Sequence, residues 1–289
     1  MNYIILDLEW DGAFYPKIGR FINQILQIGA VKLDQNFEII DTFDKTVKSS
    51  FSKRVSRRFS ELTGITKADM LAGIPLDEAF SLYNDWVGEN AVTMTWSNSD
   101  IYTVLENERN IVDTRLKIEK YLDLQKYIQG EMRLRGIEYP SQISLLNAAN
   151  MLNIKIDETV LHNAKADSIA CAALLKECYN KERFNSMITD TSDPQFFDRF
   201  TFKPHYICDI NDENIDKSAF DFNCETCGLP LNLKGEWKSH NCGFYADMVC
   251  SKCKKVYSAR VRARKTYDSV KIKRKLYEKK PKKVKTDDM

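Results

Sequence analysis

An α/β domain with a mixed sheet flanked by helices, then a small cysteine-rich module and a basic tail, is the architecture this sequence predicts. Three observations predict it. Apolar runs of strand length open the chain and then interleave with helical periodicities over about the first 180 residues. Four cysteines follow as two Cys-x-x-Cys pairs, Cys224/Cys227 and Cys250/Cys253. Charge then segregates: residues 260–289 carry a local net of +9, and the other 259 residues a net of −7.

A chain of 289 residues holds one domain of about 180–200 residues and something small besides. We place the main domain at 1–182, a linker packing partly on it at 183–222, the cysteine module at 223–265, and a basic, disordered tail at 266–289. Charged residues make up 29% and hydrophobic residues 43%, the balance of a soluble protein. No apolar run approaches the roughly 20 residues of a membrane helix. No basic segment, apolar stretch and cleavage site opens the chain. A cytoplasmic protein without a membrane partner is expected. An acidic body with a basic tail predicts a polyanionic partner, nucleic acid above all, engaged through the C-terminus.

Residues 3–8 read as a buried strand broken by two acids. Strand side chains alternate faces, so Asp7 and Glu9 point the same way. Two such carboxylates at the end of a core strand are costly unless neutralised, and oxygen ligands suit Mg²⁺ or Mn²⁺. An edge strand with solvated acids explains the pair equally well at this point. Residues 11–24, with Gly12, Pro16 and Gly19, read as a loop. Residues 25–33 and 37–47 read as the next two strands of a meander. Leu76, Ala79, Phe80, Tyr83 and Val87 follow helical spacing behind Pro75. Residues 91–96 form a short fourth strand, and Asn98 or Ser99 is placed to cap the helix after it. Further helices are expected at 144–152 and 164–179. From 182 to 223 periodicity is lost, although Phe196, Phe197, Phe200 and Phe202 are too aromatic for a free linker and should pack back on the domain.

Two more acids sit in costly places. Asp167 shares a helical face with Ala170, Cys171, Leu174, Leu175 and Cys178, and Asp100 lies beside Ile101 directly after a core strand. A helix dipole favours one N-terminal acid, but four acids at the margins of buried elements exceed what capping explains. His162, five residues before Asp167, is one of only three histidines and a candidate general base.

Asp7-Leu8-Glu9, then Trp96-Ser97-Asn98-Ser99-Asp100, then His162-x4-Asp167 resembles, in order and spacing, the three motifs of the DEDDh (DnaQ-like) 3′→5′ exonucleases. Residues 25–33 and 61–66 are similar to stretches of the same family, and the likeness is nearest to its Eri/KapD-like branch. Ser97 departs from the glycine common there. The resemblance spans about residues 1–180 and implies an RNase H-like fold. It implies Asp7, Glu9, Asp100 and Asp167 as ligands of two Mg²⁺ or Mn²⁺ ions, with His162 taking the proton from the attacking water. Two such ions activate a water and stabilise the leaving oxygen of a phosphodiester. Leu8, Trp10 and Asn98, beside the acids, become candidate nucleic-acid contacts, although Leu8 and Trp10 fit a place in the core equally well. The implied product is a 5′-mononucleotide and a strand one nucleotide shorter.

The two Cys-x-x-Cys pairs, 22 residues apart, suit one tetrahedral structural Zn²⁺ in a zinc ribbon, with Gly228 supplying the turn of a knuckle. His240 and Cys242 lie between the pairs as alternative ligands. After Cys253, Tyr257, Ala259, Val261 and Ala263 alternate with Ser258, Arg260, Arg262 and Arg264, a strand whose arginine row suits phosphates. An edge strand guarding against aggregation would read the same way. The whole predicts a metal-dependent 3′→5′ exonuclease acting on 3′ ends of single-stranded RNA or DNA, RNA being favoured by the branch resemblance. A DNA-trimming or proofreading nuclease is the rival enzyme. A non-catalytic binding protein on a nuclease scaffold is the rival of another class.

Overall fold

A computed structural model of the chain describes residues 2–139 and 141–279. It divides into two compact units, Met1–Thr201 and Phe202–Met289. The first unit is built on a seven-stranded sheet. Strands β1 (Asn2–Tyr15), β2 (Arg20–Leu33) and β3 (Ile39–Lys48) form the antiparallel meander. Helices α1 (Arg57–Thr63) and α2 (Lys67–Ala72) follow, then the short β4 (Ile74–Pro75) and α3 (Leu76–Val87). Next come β5 (Ala91–Thr95), α4 (Ser99–Asn110), β6 (Lys120–Asp123), α5 (Leu124–Leu134) and α6 (Leu145–Met151). The unit ends with α7 (Ala164–Cys178), α8 (Lys181–Met187), β7 (Thr189–Asp190) and α9 (Pro194–Thr201). The strand order is β4-β3-β2-β1-β5-β6-β7, with β5 and β6 parallel to β1, so the sheet is mixed.

Period-two alternation on β1 divides the core. Ile4, Leu6 and Leu8 pack on the side of α3 and α4. Tyr3 and Ile5 pack on the other, with Cys171, Leu174 and Leu175 of α7. The sheet is buried on both faces, and its central strands read as apolar runs for that reason.

Residues 11–24 are not a loop. They extend β1 and β2 into a long hairpin, with Phe14 opposite Phe21 and the turn confined to residues 16–19. Antiparallel pairing across a short turn outweighs the glycines that suggested a break. Asn98 stands at the start of α4 but makes no side-chain cap; its Oδ1 accepts from the Tyr121 hydroxyl at 3.1 Å. Phe196 of α9 lies in the core beside α4, with Phe197 and Phe200 packed against it. Phe202 instead belongs to the second unit, 5.7 Å from the ring of Tyr267.

The second unit holds β8 (His205–Tyr206), β9 (Leu231–His240), β10 (Gly243–Cys250), β11 (Val256–Lys265) and β12 (Val270–Glu278) in one sheet. Its core takes in Ile207, Ile215 and Phe222 as well as the later strands, so the unit begins well before the first cysteine pair. The basic stretch expected to be disordered from residue 266 is β12 as far as Glu278. Val270, Ile272 and Leu276 alternate with its lysines and pack on the core, which is why it folds. The remainder of the expected tail, 280–289, lies outside the described residues.

Candidate active site and zinc site

Three elements converge at the middle of β1. Asp7 lies opposite Gly29 and Glu9 opposite Gln27 of β2, so both carboxylates face α7. Gly29 permits this closeness. A Cβ there would come 2.1 Å from the backbone nitrogen of Lys165 and 2.7 Å from Ala164 Cβ. The start of α7 therefore rests on bare backbone, where Ser168 Oγ donates to the Gly29 carbonyl at 3.2 Å. Gln27 adds a side-chain acceptor: its Oε1 takes the Ala164 N–H at 3.2 Å, while its Nε2 donates to Asp44 Oδ1 at 2.9 Å. Asn163 caps the helix through the Ala166 N–H. These bonds set the position of Asp167 in the first turn.

Oxygens of Asp7, Glu9 and Asp167 lie within 4.8 Å of one another. Asp100 reaches the same place from the first turn of α4 and is 4% exposed. Its Oδ1 accepts the Leu8 N–H at 3.2 Å, a donor left free where β5 no longer pairs with β1. Burial, then the charges of Asp100, Asp167 and Glu9, pushes Asp7 well above the ordinary carboxylate range. Burial likewise lifts Glu9 to about 8 and Asp100 to about 7, with Asp167 adding to both. Asp167 is raised too, by burial, against a backbone hydrogen bond from His162. The nearby Lys165 pairs with Asp44 instead. Crowded carboxylates, three half-buried and Asp100 buried, with no lysine or arginine partner among the described residues, fit hard divalent cations bound through oxygen.

His162 stands on the exposed turn before α7, with a left-handed φ of 66°, and its backbone N–H donates to Asp167 Oδ1 at 3.3 Å. Leu8 does not reach the site. It is 3% exposed in the α4-side core, because alternation turns residues 6 and 8 away from residues 7 and 9. Trp10 is half-buried against the same core. Gln27 and Gly29 escaped the sequence reading, although a glycine inside an apolar strand is a known sign of close backbone approach. Gly29→Ala is expected to lift α7 from the sheet, lowering the melting temperature by roughly 3–10 °C and weakening Mn²⁺ binding about tenfold. Calorimetric melting and Mn²⁺ titration check this, and unchanged values for both would refute it.

In the second unit, the Sγ atoms of Cys224, Cys227, Cys250 and Cys253 lie within 4.8 Å of one another. Tetrahedral zinc with Zn–S bonds of about 2.3 Å spaces its sulfurs about 3.8 Å apart, and the Cys227 and Cys250 sulfurs are 3.5 Å apart. Each pair forms a tight knuckle. The Gly228 N–H donates to the Cys224 carbonyl at 2.8 Å, and the Lys254 N–H to the Cys250 carbonyl at 3.0 Å. Both knuckles close on a left-handed residue, Gly228 at φ 73° and Lys254 at φ 58°. The thiolate set fits zinc. Cys242, an alternative ligand by sequence, is instead disulfide-bonded to Cys208, 34 residues away. His240 is exposed, with its Nε2 3.1 Å from Asn241 Nδ2.

Solved structures share this fold. Cell-death related nuclease 4 (CRN-4) matches with a TM-score of 0.52 at 16% identity, over 73% of this chain and 69% of that one. The nuclease domain of 3′hExo, described as a DEDDh family member, matches with a TM-score of 0.51 at 18% identity, over 61% of this chain and 90% of that one. Among curated proteins, a PolC-type DNA polymerase III of Thermotoga petrophila is 23% identical over 55% of this chain, and the chain spans 14% of that relative's length. Residues 4–175, which carry β2, α4, most of β1 and α7, and all four acids, match the RNase_T family, described as exonuclease. The chain belongs to the RNase_T exonuclease family.

Proposed function

We propose that the protein is a metal-dependent 3′→5′ exonuclease of the DEDDh type, nearest the Eri/KapD-like branch. It removes 5′-mononucleotides from single-stranded nucleic acid, RNA before DNA. The observation that carries this reading is the convergence of half-buried Asp7, Glu9 and Asp167 with buried Asp100, and among the described residues no lysine or arginine pairs with them. In this reading the four acids hold two Mg²⁺ or Mn²⁺ ions. Bound there, such ions supply an acidified water and charge neutralisation for the leaving oxygen. His162 takes the proton as the water oxygen attacks the terminal phosphorus. The bond from phosphorus to the 3′ oxygen breaks, and that oxygen leaves on the shortened strand, taking a proton from solvent to become the new 3′ hydroxyl. The exposed turn gives the imidazole access to solvent and substrate, and its backbone N–H orients Asp167. Asn98 and Trp10 flank the site as candidate contacts to the terminal nucleotide, and Arg260, Arg262 and Arg264 are assigned to the backbone of the strand.

Two solved structures support an RNA substrate by their descriptions: one is the 3′hExo nuclease domain bound to rAMP, and the other describes 3′-end specific recognition of a histone mRNA stem-loop by a 3′-exonuclease. The PolC-type relatives favour a second reading, DNA trimming or proofreading. The test is release of mononucleotides from 3′- and 5′-labelled single-stranded RNA and DNA with Mg²⁺, Mn²⁺ or EDTA. Stepwise loss of the 3′ label with either metal supports the exonuclease. Release from DNA alone moves the assignment to the second reading, and no release with any metal rejects both. His162→Gln is expected to lower kcat by roughly 10²–10⁴-fold while metal affinity, read by titration calorimetry, stays at the wild-type value. A kcat unchanged in this variant would remove His162 from the mechanism.

A further inference from the structure

The sheet of the second unit has two unlike faces. Ala259, Val261 and Ala263 of β11 point into the buried core with Phe244, Met248 and Tyr257. The alternate residues share the opposite face. Arg260 lies opposite Lys275, Arg262 opposite Lys273, and Arg264 opposite Lys271 of β12. On the other side of β11, Arg260 lies opposite Tyr245 and Arg264 opposite Tyr206. Ser258 ends the row, with Tyr277 beside it.

Like charges directly opposite each other destabilise a sheet, and here three such pairs stand in a row. Asp247, an acid on this face, is engaged by Lys279. Among the described residues, the six cations have no carboxylate within ion-pair distance. The arginines lie over tyrosine rings instead: Arg260 over Tyr245 at 5.3 Å and Arg262 over Tyr206 at 5.6 Å. The Nε atoms of Arg260 and Arg262 are buried without a hydrogen-bond partner. Gly243 makes room for this layer, since a Cβ there would come 3.1 Å from Tyr245 Oη and 3.3 Å from Arg262 Nε. Protection of a sheet edge explains lysines on the outer strand β12. It does not explain arginines on β11, which is paired on both sides.

We infer that this face is a platform for single-stranded nucleic acid, with phosphates on the Arg–Lys rows and bases on Tyr206, Tyr245 and Tyr277. The choice of occupant rests on the exonuclease reading and deepens it. A polyanion removes the repulsion that the fold leaves in place. Cations repeat along each strand about every 6.8 Å, a spacing an extended polymer can follow. Tyr206 and Tyr277 are 46% and 52% exposed, so the Tyr277 ring, and the face of Tyr206 turned away from Arg262, are open to stacking. A lipid surface or an acidic peptide would use the charge and leave the rings idle. A second grip on the same polymer keeps the strand at high effective concentration after each nucleotide is removed.

The test is made on the full chain. In an Asp7→Asn background, which separates binding from cleavage, Lys271→Glu/Lys273→Glu/Lys275→Glu replaces three like-charged pairs with opposite ones. The melting temperature of the second unit should hold or rise. Affinity for a labelled single-stranded oligonucleotide should fall at least about tenfold at 0.1 M salt, and the salt slope should drop by about 2. Unchanged affinity would overturn the platform. Tyr206→Leu/Tyr277→Leu should cost roughly fivefold or more in oligonucleotide affinity and nothing for inorganic polyphosphate. Equal change for the two ligands would overturn the stacking role of the tyrosines. Vesicles of anionic lipid binding as tightly as the oligonucleotide would reassign the face to a membrane. Hydrolysis by the wild-type protein of the p-nitrophenyl ester of thymidine 5′-phosphate reports the reaction alone. Its absence, with the charge variant still losing oligonucleotide affinity, would sink the exonuclease reading and leave the platform standing.

Discussion

Asp7→Asn is expected to cut exonuclease turnover by at least roughly a thousandfold and, at the same time, to make the metal-free protein more stable. Both effects have one cause. Burial and three neighbouring carboxylates raise Asp7 well above its ordinary value of 3.8. Asp100 is lifted from 3.8 to about 7 and Glu9 from 4.5 to about 8. Between those limits the folded chain holds protons that the unfolded chain releases. Stability of the metal-free protein therefore falls as pH rises from about 4 to about 8. Removing the Asp7 charge makes that slope shallower. Mg²⁺ or Mn²⁺ acts in the opposite sense, favouring the ionised acids. At a hundred times Kd it adds about 2.7 kcal/mol, which for a domain of this size is roughly 5–10 °C in Tm. The transition of the first unit in calorimetric scans at pH 5, 6.5 and 8, in EDTA and in Mg²⁺ or Mn²⁺, reads all of this. A wild-type Tm that climbs with pH in EDTA would contradict the electrostatic account.

Removal of zinc is expected to unfold the second unit. Cys224 and Cys250 belong to its core, among Phe222, Leu231, Phe244 and Tyr257, so the metal site and the apolar packing are one structure. Structural zinc contributes about 10–16 kcal/mol of apparent binding energy in small modules, as much as or more than the whole stability of a typical domain. Chelation, or Cys250→Ser, should release one zinc per chain and shift the emission of Trp237, the tryptophan of this unit. Amide protection should collapse across 205–279 and persist in the strands of the first unit. Emission and protection unchanged after chelation would show that the four cysteines hold no structural metal.

The features legible in the sequence are those written in local periodicity. Asp7 and Glu9 share a face because strands alternate. Leu76, Ala79, Phe80, Tyr83 and Val87 mark α3 from end to end. The start of α7 was readable because Ala164 opens an apolar stripe that runs to Cys178. What escaped depends on partners distant in sequence. Gln27 gains its role from Ala164 and Asp44, and Gly29 from the backbone of Lys165. Cys208 pairs with Cys242 across a fold that places the two segments together, where Ser239 Oγ also donates to the Cys208 carbonyl. The β12 strand was hidden by composition. Its lysines suggest a solvated tail, and only the alternating Val270, Ile272 and Leu276 betray a buried face.

The parity of β1 bears on which changes in chain length the protein tolerates. One strand supplies apolar side chains to the α4-side core from its even positions and carboxylates to the site from Asp7 and Glu9. A single residue inserted between Ile5 and Leu6 would exchange these roles, driving two acids into the oily layer and presenting Leu6 and Leu8 where the acids stood. Two residues inserted together would restore the phase while shifting the carboxylates by about 6.8 Å along the strand, out of reach of Asp167. Within this hairpin, the place left for an insertion is thus the turn at 16–19, beyond the last position where register and chemistry are bound to each other.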